Sequence, residues 1–325
     1  MSVKDIIFIK DDSFSDYLSD WFCLPSTYVY HMNDRIRTPL YQIRKVHLSN
    51  KLERYIHLPA KGIWFDTGKL KPVVGADSRF VFISDVIMCM KKEFWEKLDR
   101  DFPQVPKVLI IMDSMNAHSF CIRYIRESLK SVKWDLVLSY DLDDCREFGF
   151  QYLGLTYYSD FPVLRENLPV TSDLFFVGMH KDKGEQRDQV IYEIYRRCRE
   201  QKLRCDFTLF RGNPGEMPEG MHGRRLPYAE VLRRVRQSNC ILEMVQSGQT
   251  RQSIRYFEAV TMDRKLLTNN PNVRELPYYD PEKMKIFSSP EEIDLEWIRE
   301  PMAEGYHYQG EFSSALISET IDRHL

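Results

Sequence analysis

Long apolar runs are missing from this sequence. Stretches such as VLIIM at 108–112 fall far below the roughly 20 residues that a spanning helix needs. The N-terminal MSVKDIIFIKDD places charges on both sides of an apolar run too short for the core of a signal peptide. A cytoplasmic protein is expected. Cysteine is present but unorganised: Cys23, Cys89, Cys121, Cys145, Cys198, Cys205 and Cys240 are scattered, odd in number and nowhere form CxxC, which argues against a disulfide framework or a zinc site. They read as small buried hydrophobes. Glycine and proline, 14 and 16 of 325 residues, are too few to suggest disorder. A net charge of −2 gives no global field to recruit nucleic acid or an anionic bilayer. There is no basic and aromatic pattern of the RNA-binding kind either, so nucleic acid is not an expected partner. The chain also lacks a Walker A loop, a GxSxG elbow and a GxGxxG turn after its first strand, features that would point to an NTPase, a hydrolase or a dehydrogenase.

What is present suits two α/β units, since 325 residues exceed the usual size of one core. In the first half, DIIFIK (5–10), RFVFISD (79–85), KVLIIMDS (107–114) and DLVLSYD (135–141) read as strands. FWEKLDRDF and FCIRYIRESLKSV carry apolar residues at three and four spacing and read as helices. Continuous apolar strands alternating with amphipathic helices indicate a parallel sheet covered on both faces. Ligands gather at the carboxyl ends of such strands, where Asp85, Asp113, Ser114 and Asp141 stand. Residues 26–75, rich in Tyr, His and Arg with weak periodicity, are expected to hold a strand or two with irregular connections. After a Pro-containing linker at 159–173, a second series begins. DLFFVG, CDFTLF, NCILEMV and KLLTNN alternate with helices at 189–202, 228–238 and about 252–262. The expected domains are 1–160 and 161–325, both Rossmann-like.

The stretch SNCILEMVQSGQTRQSIRYFEAVTMDRKLLTNN resembles the donor-binding segment of GT-B glycosyltransferases, and more closely that of bacterial lipopolysaccharide and capsular polysaccharide biosynthesis proteins. SYDLDDCREFGFQYLGLTYYS and DLFFVGMHKDKGEQRDQVIYEIYRRC are similar to further segments of those proteins, and the resemblance covers about 135–287. It implies two Rossmann-like domains facing across a cleft and transfer of a sugar from a nucleotide-sugar donor. The implied acceptor is a surface glycan or lipid-linked precursor, with the protein at the inner face of the cell membrane and in peripheral contact with it. A non-catalytic protein of the same fold, binding a glycan or a partner enzyme, is the alternative. The family's Glu-Ala pair is matched by Glu258 and Ala259, whereas Thr250 and Ser253 stand where the broader class has Glu and Gly. After the helix, Asp263 replaces a family glycine, and it tolerates the left-handed turn.

A helix N-terminus attracts a diphosphate. The loop before this helix offers Gly248 for backbone approach, Thr250 and Ser253 as hydroxyl donors, and Arg251 and Arg255 on one helical face. By resemblance, Glu258 would accept hydrogen bonds from ribose hydroxyls. Two readings stand side by side: a ligand site, or a surface Arg255–Glu258 pair with Thr250 or Ser253 as a simple cap. A second cluster, His180, Lys181, Lys183 and Arg187, lies in a segment (181–236) with 14 Lys or Arg against 9 Asp or Glu. There, Lys183 or Arg187 would reach the diphosphate, the alternative being a solvated basic face. Glu243 closes its strand as either a donor-hydroxyl ligand or a cap. For acid–base work the first domain offers Asp113 and His118 in DSMNAHSF. The DLDD at 141–144 is the nearest approach to a metal-binding DxD and reads as structural. Neither metal nor cofactor is expected, because a helix dipole and Arg or Lys can neutralise a leaving diphosphate.

Overall fold

The computed structural model describes residues 3–10, 15–32, 39–53, 55–56, 58–116, 120–156, 158–161, 167–180, 186–210, 217–245 and 252–325. The chain divides into two compact units, Met1–Ser159 with Glu311–Leu325, and Asp160–Gly310. Each is an α/β unit on a wholly parallel sheet, as the alternating pattern predicts.

In the first unit the strands are β1 (Val3–Ile9), β2 (Thr27–His31), β3 (Val74–Ile83), β4 (Lys107–Ile111), β5 (Leu136–Ser139) and β6 (Gln151–Tyr152). They pair in the order β2-β1-β3-β4-β5-β6. The helices are α1 (Ser19–Phe22), α2 (Pro39–His47), α3 (Asn50–Glu53), α4 (Lys92–Asp101), α5 (Phe120–Ser131) and α6 (Leu142–Phe148). Every residue of β4 is buried, which is the condition of a strand covered on both faces. The pleat sorts the apolar side chains. Ile6, Phe8, Phe80, Phe82, Leu109 and Ile111 pack with Phe94 and Leu98 of α4 and with Ile122 and Ile125 of α5. Ile7, Ile9, Val81, Ile83, Val108 and Ile110 face the other side. At the start of α6, Asp141 Oδ1 accepts from the N–H groups of Asp143 (2.9 Å) and Asp144 (3.2 Å), so the DLDD carboxylate is a helix cap.

The 26–75 region differs from expectation. It supplies β2, but then α2, α3 and two short 3-10 turns, Lys61–Trp64 and Thr67–Leu70. These helices are too short for their periodicity to stand out, and polar ties hold them. The Trp64 Nε1–H donates to His47 Nδ1 (2.8 Å), Lys61 pairs with Glu53, and Thr67 donates to Asp101 (2.6 Å).

The second unit contains β7 (Ser172–Met179), β8 (Cys205–Phe210), β9 (Ser238–Glu243), β10 (Lys265–Thr268) and β11 (Met284–Ile286), with α7 (Arg187–Glu200), α8 (Tyr228–Arg236), α9 (Ile254–Thr261) and α10 (Leu295–Arg299). Strand order is β11-β10-β9-β7-β8. Successive connections leave β7 in opposite directions, which makes the carboxyl ends of β7 and β9 the topological switch point. Among the six described cysteines only Cys198 and Cys240 are buried, among apolar side chains of this unit, whereas Cys23 is exposed and Cys89, Cys145 and Cys205 are half-buried, so the expected burial holds for two of them. Asp263 takes φ +53° directly after α9, the left-handed conformation anticipated for it.

The final segment departs from the expected 161–325 domain. Helix α11 (Ile317–His324) belongs to the first unit, where Ile317 and Ile321 complete the second face of the β1–β3–β4 sheet. Charge fixes it there. Arg79 Nε donates to Asp5 (2.6 Å), Nη1 to Asp322 (2.6 Å) and Nη2 to the Ser318 carbonyl (2.8 Å), while Trp21 Nε1 donates to the other Asp5 oxygen (2.8 Å).

Candidate functional site

The described members of the expected site in the second unit gather at the carboxyl ends of β7, β9 and β10. Arg187 opens α7 and lies across the switch point. Its Nη1 donates to the carbonyl of Met179, the last residue of β7 (3.2 Å), and its Nε to the carbonyl of Met244, just past β9 (3.3 Å). The guanidinium carbon stands 5.8 Å from the Phe176 ring centre, in cation–π range. Gly178 makes room for it, because a Cβ there would sit 2.7 Å from the Phe176 ring and 3.0 Å from Arg187 Nη2. Asp188 accepts from Arg187 Nη1 (3.3 Å) and has His180 Nδ1 at 2.7 Å. Its carboxylate lies in the first turn of α7, where the helix dipole favours it.

Ser253 is the N-cap of α9. Its Oγ accepts from the Arg255 N–H (3.1 Å) and its hydroxyl proton goes to Glu243 Oε1 (2.5 Å). Glu243 also accepts from the Ser253 N–H (3.0 Å), and on its other oxygen from Thr268 Oγ1 (2.5 Å). It is buried, and burial pushes its carboxyl above the usual range against the opposing pull of Ser253 and Thr268. Glu243 therefore stitches β9, β10 and the start of α9 together. The negative group at this helix N-terminus is Glu243 itself, and Ser253 has no hydroxyl proton left for a phosphate.

One turn further on, Arg255 and Glu258 do not form the surface pair that i,i+3 spacing suggests. Glu258 is 0% exposed. One of its oxygens accepts from Tyr228 Oη (2.9 Å) and the other from Arg255 Nη1. Burial raises its carboxyl above the ordinary value, outweighing the Arg255 charge and the Tyr228 hydrogen bond. Both oxygens are thus committed to protein donors, and a ribose hydroxyl would have to displace Tyr228 or Arg255. Arg255 keeps 14% of its side chain exposed, as does Arg187. The arrangement is two partly exposed guanidinium groups at one end of the sheet, with buried carboxylates behind α9. A guanidinium group of this kind suits a phosphate or carboxylate oxygen.

Gly248, Thr250, Arg251, Lys183 and His118 lie outside the described residues. Asp113 is exposed, just beyond the carboxyl end of β4 in the first unit. Sequence reasoning missed Tyr228, Thr268 and Phe176. Tyr228 opens the stripe that Val231, Leu232 and Val235 continue along α8, at the first helical position after Pro227, so its spacing reads as core and hides its bond to Glu258. Among the described residues no three His, Cys, Asp or Glu side chains are grouped to hold a metal.

No protein-family model and no curated protein sequence matches the chain. Among solved structures it is similar to the trehalose-6-phosphate synthase OtsA, with a TM-score of 0.49 at 9% identity, over 99% of this chain and 96% of that one. The glycosyltransferase SnogD from Streptomyces nogalater gives 0.46 at 10% identity, over 100% and 96% of the two chains. The glycotransferase of kitacinnamycin gives 0.46 at 10% identity, over 100% and 99%.

Proposed function

We propose that the protein is a glycosyltransferase that moves a sugar from a nucleotide-sugar donor to a surface glycan or its lipid-linked precursor. The observation that carries this reading is the placement of Arg187 and Arg255 at the carboxyl ends of a parallel sheet, beside its switch point. That is where an α/β sheet receives a nucleotide, and guanidinium groups suit its diphosphate. The resemblance of residues 238–270 to the donor-binding segment supports the same reading. The two arginines hold the donor diphosphate and stabilise it as it leaves with the growing charge of the transition state, without a metal. Asp113, at a strand end of the first unit, takes the acceptor proton under inverting chemistry.

The test is calorimetric titration of UDP-, GDP- and CMP-sugars into the wild type and into the double variant Arg255→Met/Glu258→Gln. This variant removes the cation without stranding a buried charge. Wild-type binding to one of the three, weakened at least about tenfold in the variant, is expected from the loss of one charge-assisted contact. Failure of the wild type to bind any of them removes the reading, and equal binding by the variant removes Arg255 from the site.

One observation favours a second reading, a non-catalytic protein of this fold that binds a glycan or partner enzyme. Glu258 has both oxygens occupied within the protein. Turnover of the bound sugar nucleotide with an acceptor extract separates the two, since any transfer excludes the second.

A further inference from the structure

Among the described residues, seven of the twelve large apolar side chains that are exposed lie between positions 40 and 63. Leu40, Ile43, Val46, Tyr55, Ile56 and Ile63 are 55–86% exposed, and Tyr41 accompanies them. Single exposed apolar residues are ordinary, but a concentration of this kind on one short segment marks a surface that meets an apolar partner. Leu40, Ile43 and Val46 are spaced by three along α2 and share a face. Arg44, beside them, is buried and donates to the Met32 carbonyl.

The rest of the segment is folded against α2 rather than strung out. Trp64 Nε1–H donates to His47 Nδ1 (2.8 Å), so the other ring nitrogen carries the proton and donates to the Pro59 carbonyl (2.9 Å). This places the neighbour of Val46 against the neighbour of Ile63. The N–H groups of Tyr55 and Ile56 both bond the Leu52 carbonyl (2.9 Å each). Glu53 in turn binds Lys61 and approaches Lys91 (3.7 Å). The apolar residues of α2, of the turn after α3 and of the 61–64 turn therefore belong to one cross-tied structure.

Its exposed charge is mostly positive. Lys45, Lys51, Lys69 and Lys71 are exposed, whereas the described acids of the same stretch are Glu53, held by Lys61, and Asp66, which caps the next turn by accepting from the Gly68 N–H (3.1 Å). Exposed aliphatic side chains interspersed along the segment with exposed lysines, with Tyr41, Tyr55 and half-buried Trp64 among them, match the chemistry of a bilayer interface. There, apolar groups enter the acyl boundary, aromatic rings sit at headgroup depth, and lysines meet anionic lipid.

We infer that the described residues between 39 and 71 form a docking surface for an anionic membrane. This surface stands on its own residues and does not depend on the transferase reading. The experiment is co-sedimentation of the full chain with vesicles of phosphatidylcholine containing phosphatidylglycerol, and with vesicles of phosphatidylcholine alone. Binding to the anionic vesicles is expected, weakening as salt is raised. Ile43→Asp/Ile63→Asp should lower it at least about tenfold through lost apolar burial. Lys45→Glu/Lys51→Glu should lower it at least about tenfold through lost attraction to the lipid charge. Leu142→Asp, an exposed site elsewhere, should bind like wild type, and all variants should melt as wild type does. No partition by the wild type, or partition unchanged in both double variants, overturns the inference. So does concentration-dependent dimerisation without lipid that the same variants abolish, since a second copy would then cover this face. Sugar-nucleotide titration on the same samples reads the donor site separately, so either result can fail alone.

Discussion

Glu258 keeps both carboxylate oxygens bonded while fully buried, with Tyr228 on one and Arg255 on the other. Removing one partner of such a pair leaves a charge without a counterpart, whereas removing both leaves none. Arg255→Met alone is expected to cost about 3–5 kcal/mol in urea unfolding, while Arg255→Met/Glu258→Leu should fall within about 1–2 kcal/mol of wild type. Equal losses in the single and double variants would show that the pair is not coupled. The exposed Asp113 calls for the opposite behaviour. Asp113→Asn should leave the melting temperature unchanged and, under inverting chemistry, lower kcat by about 10²–10⁴-fold. At this scale the sequence revealed the residue types but not their neighbours. Arg255 and Glu258 were legible as partners from their spacing, yet their burial depends on Tyr228, thirty positions away along the chain. Ser253 was legible as a cap. That its proton goes to Glu243 depends on β9 and α9 meeting at the sheet end.

At the scale of the element, α9 is held at its N-terminus by two linked devices, the Ser253 cap and the Glu243 carboxyl beneath it. Ser253→Ala removes a cap worth about 1–2 kcal/mol and withdraws a donor from Glu243. The loss should read as faster amide exchange in the first turn of α9. The sign of the pH dependence follows from burial. Glu243 has a carboxyl pKa raised in the folded protein, so its contribution to stability is complete below the unfolded value of about 4.3 and is lost as pH rises through the raised folded value. The melting temperature of Glu243→Gln relative to wild type should therefore shift in favour of the variant between about pH 4 and pH 8. A constant difference across that interval would refute this assignment. The elements were legible where burial on both faces forced a continuous apolar run, as in β1, β4 and β7. They were not legible between 26 and 75, where α2 and α3 are short, α2 carries exposed apolar residues, and their places depend on His47, Glu53 and Lys61.

At the scale of the molecule, the C-terminal segment is the feature that the sequence hid. Residues 311–325 end in the amphipathic helix α11 (Ile317–His324), whose own pattern does not tell which sheet it covers. Its address is written in Asp5 and Arg79, far upstream. Deleting 311–325 should raise amide exchange in β1, β3 and β4 and leave β7 and β9 protected, because the exposed face belongs to the first unit alone. Arg79→Met should act in the same place, stranding Asp5 at a cost of about 3–5 kcal/mol.

The return of α11 also sets an order of events during synthesis. The unit Asp160–Gly310 is continuous and holds all its strands once Gly310 has been made. The unit begun first must wait for residues 311–325, the last of which is added about 1–3 s after Gly310 at ordinary rates of translation. Until then Ile7, Val81 and Val108 lack the Ile317 and Ile321 side chains that pack with them. Of the two units, the one begun first is the last to be sealed.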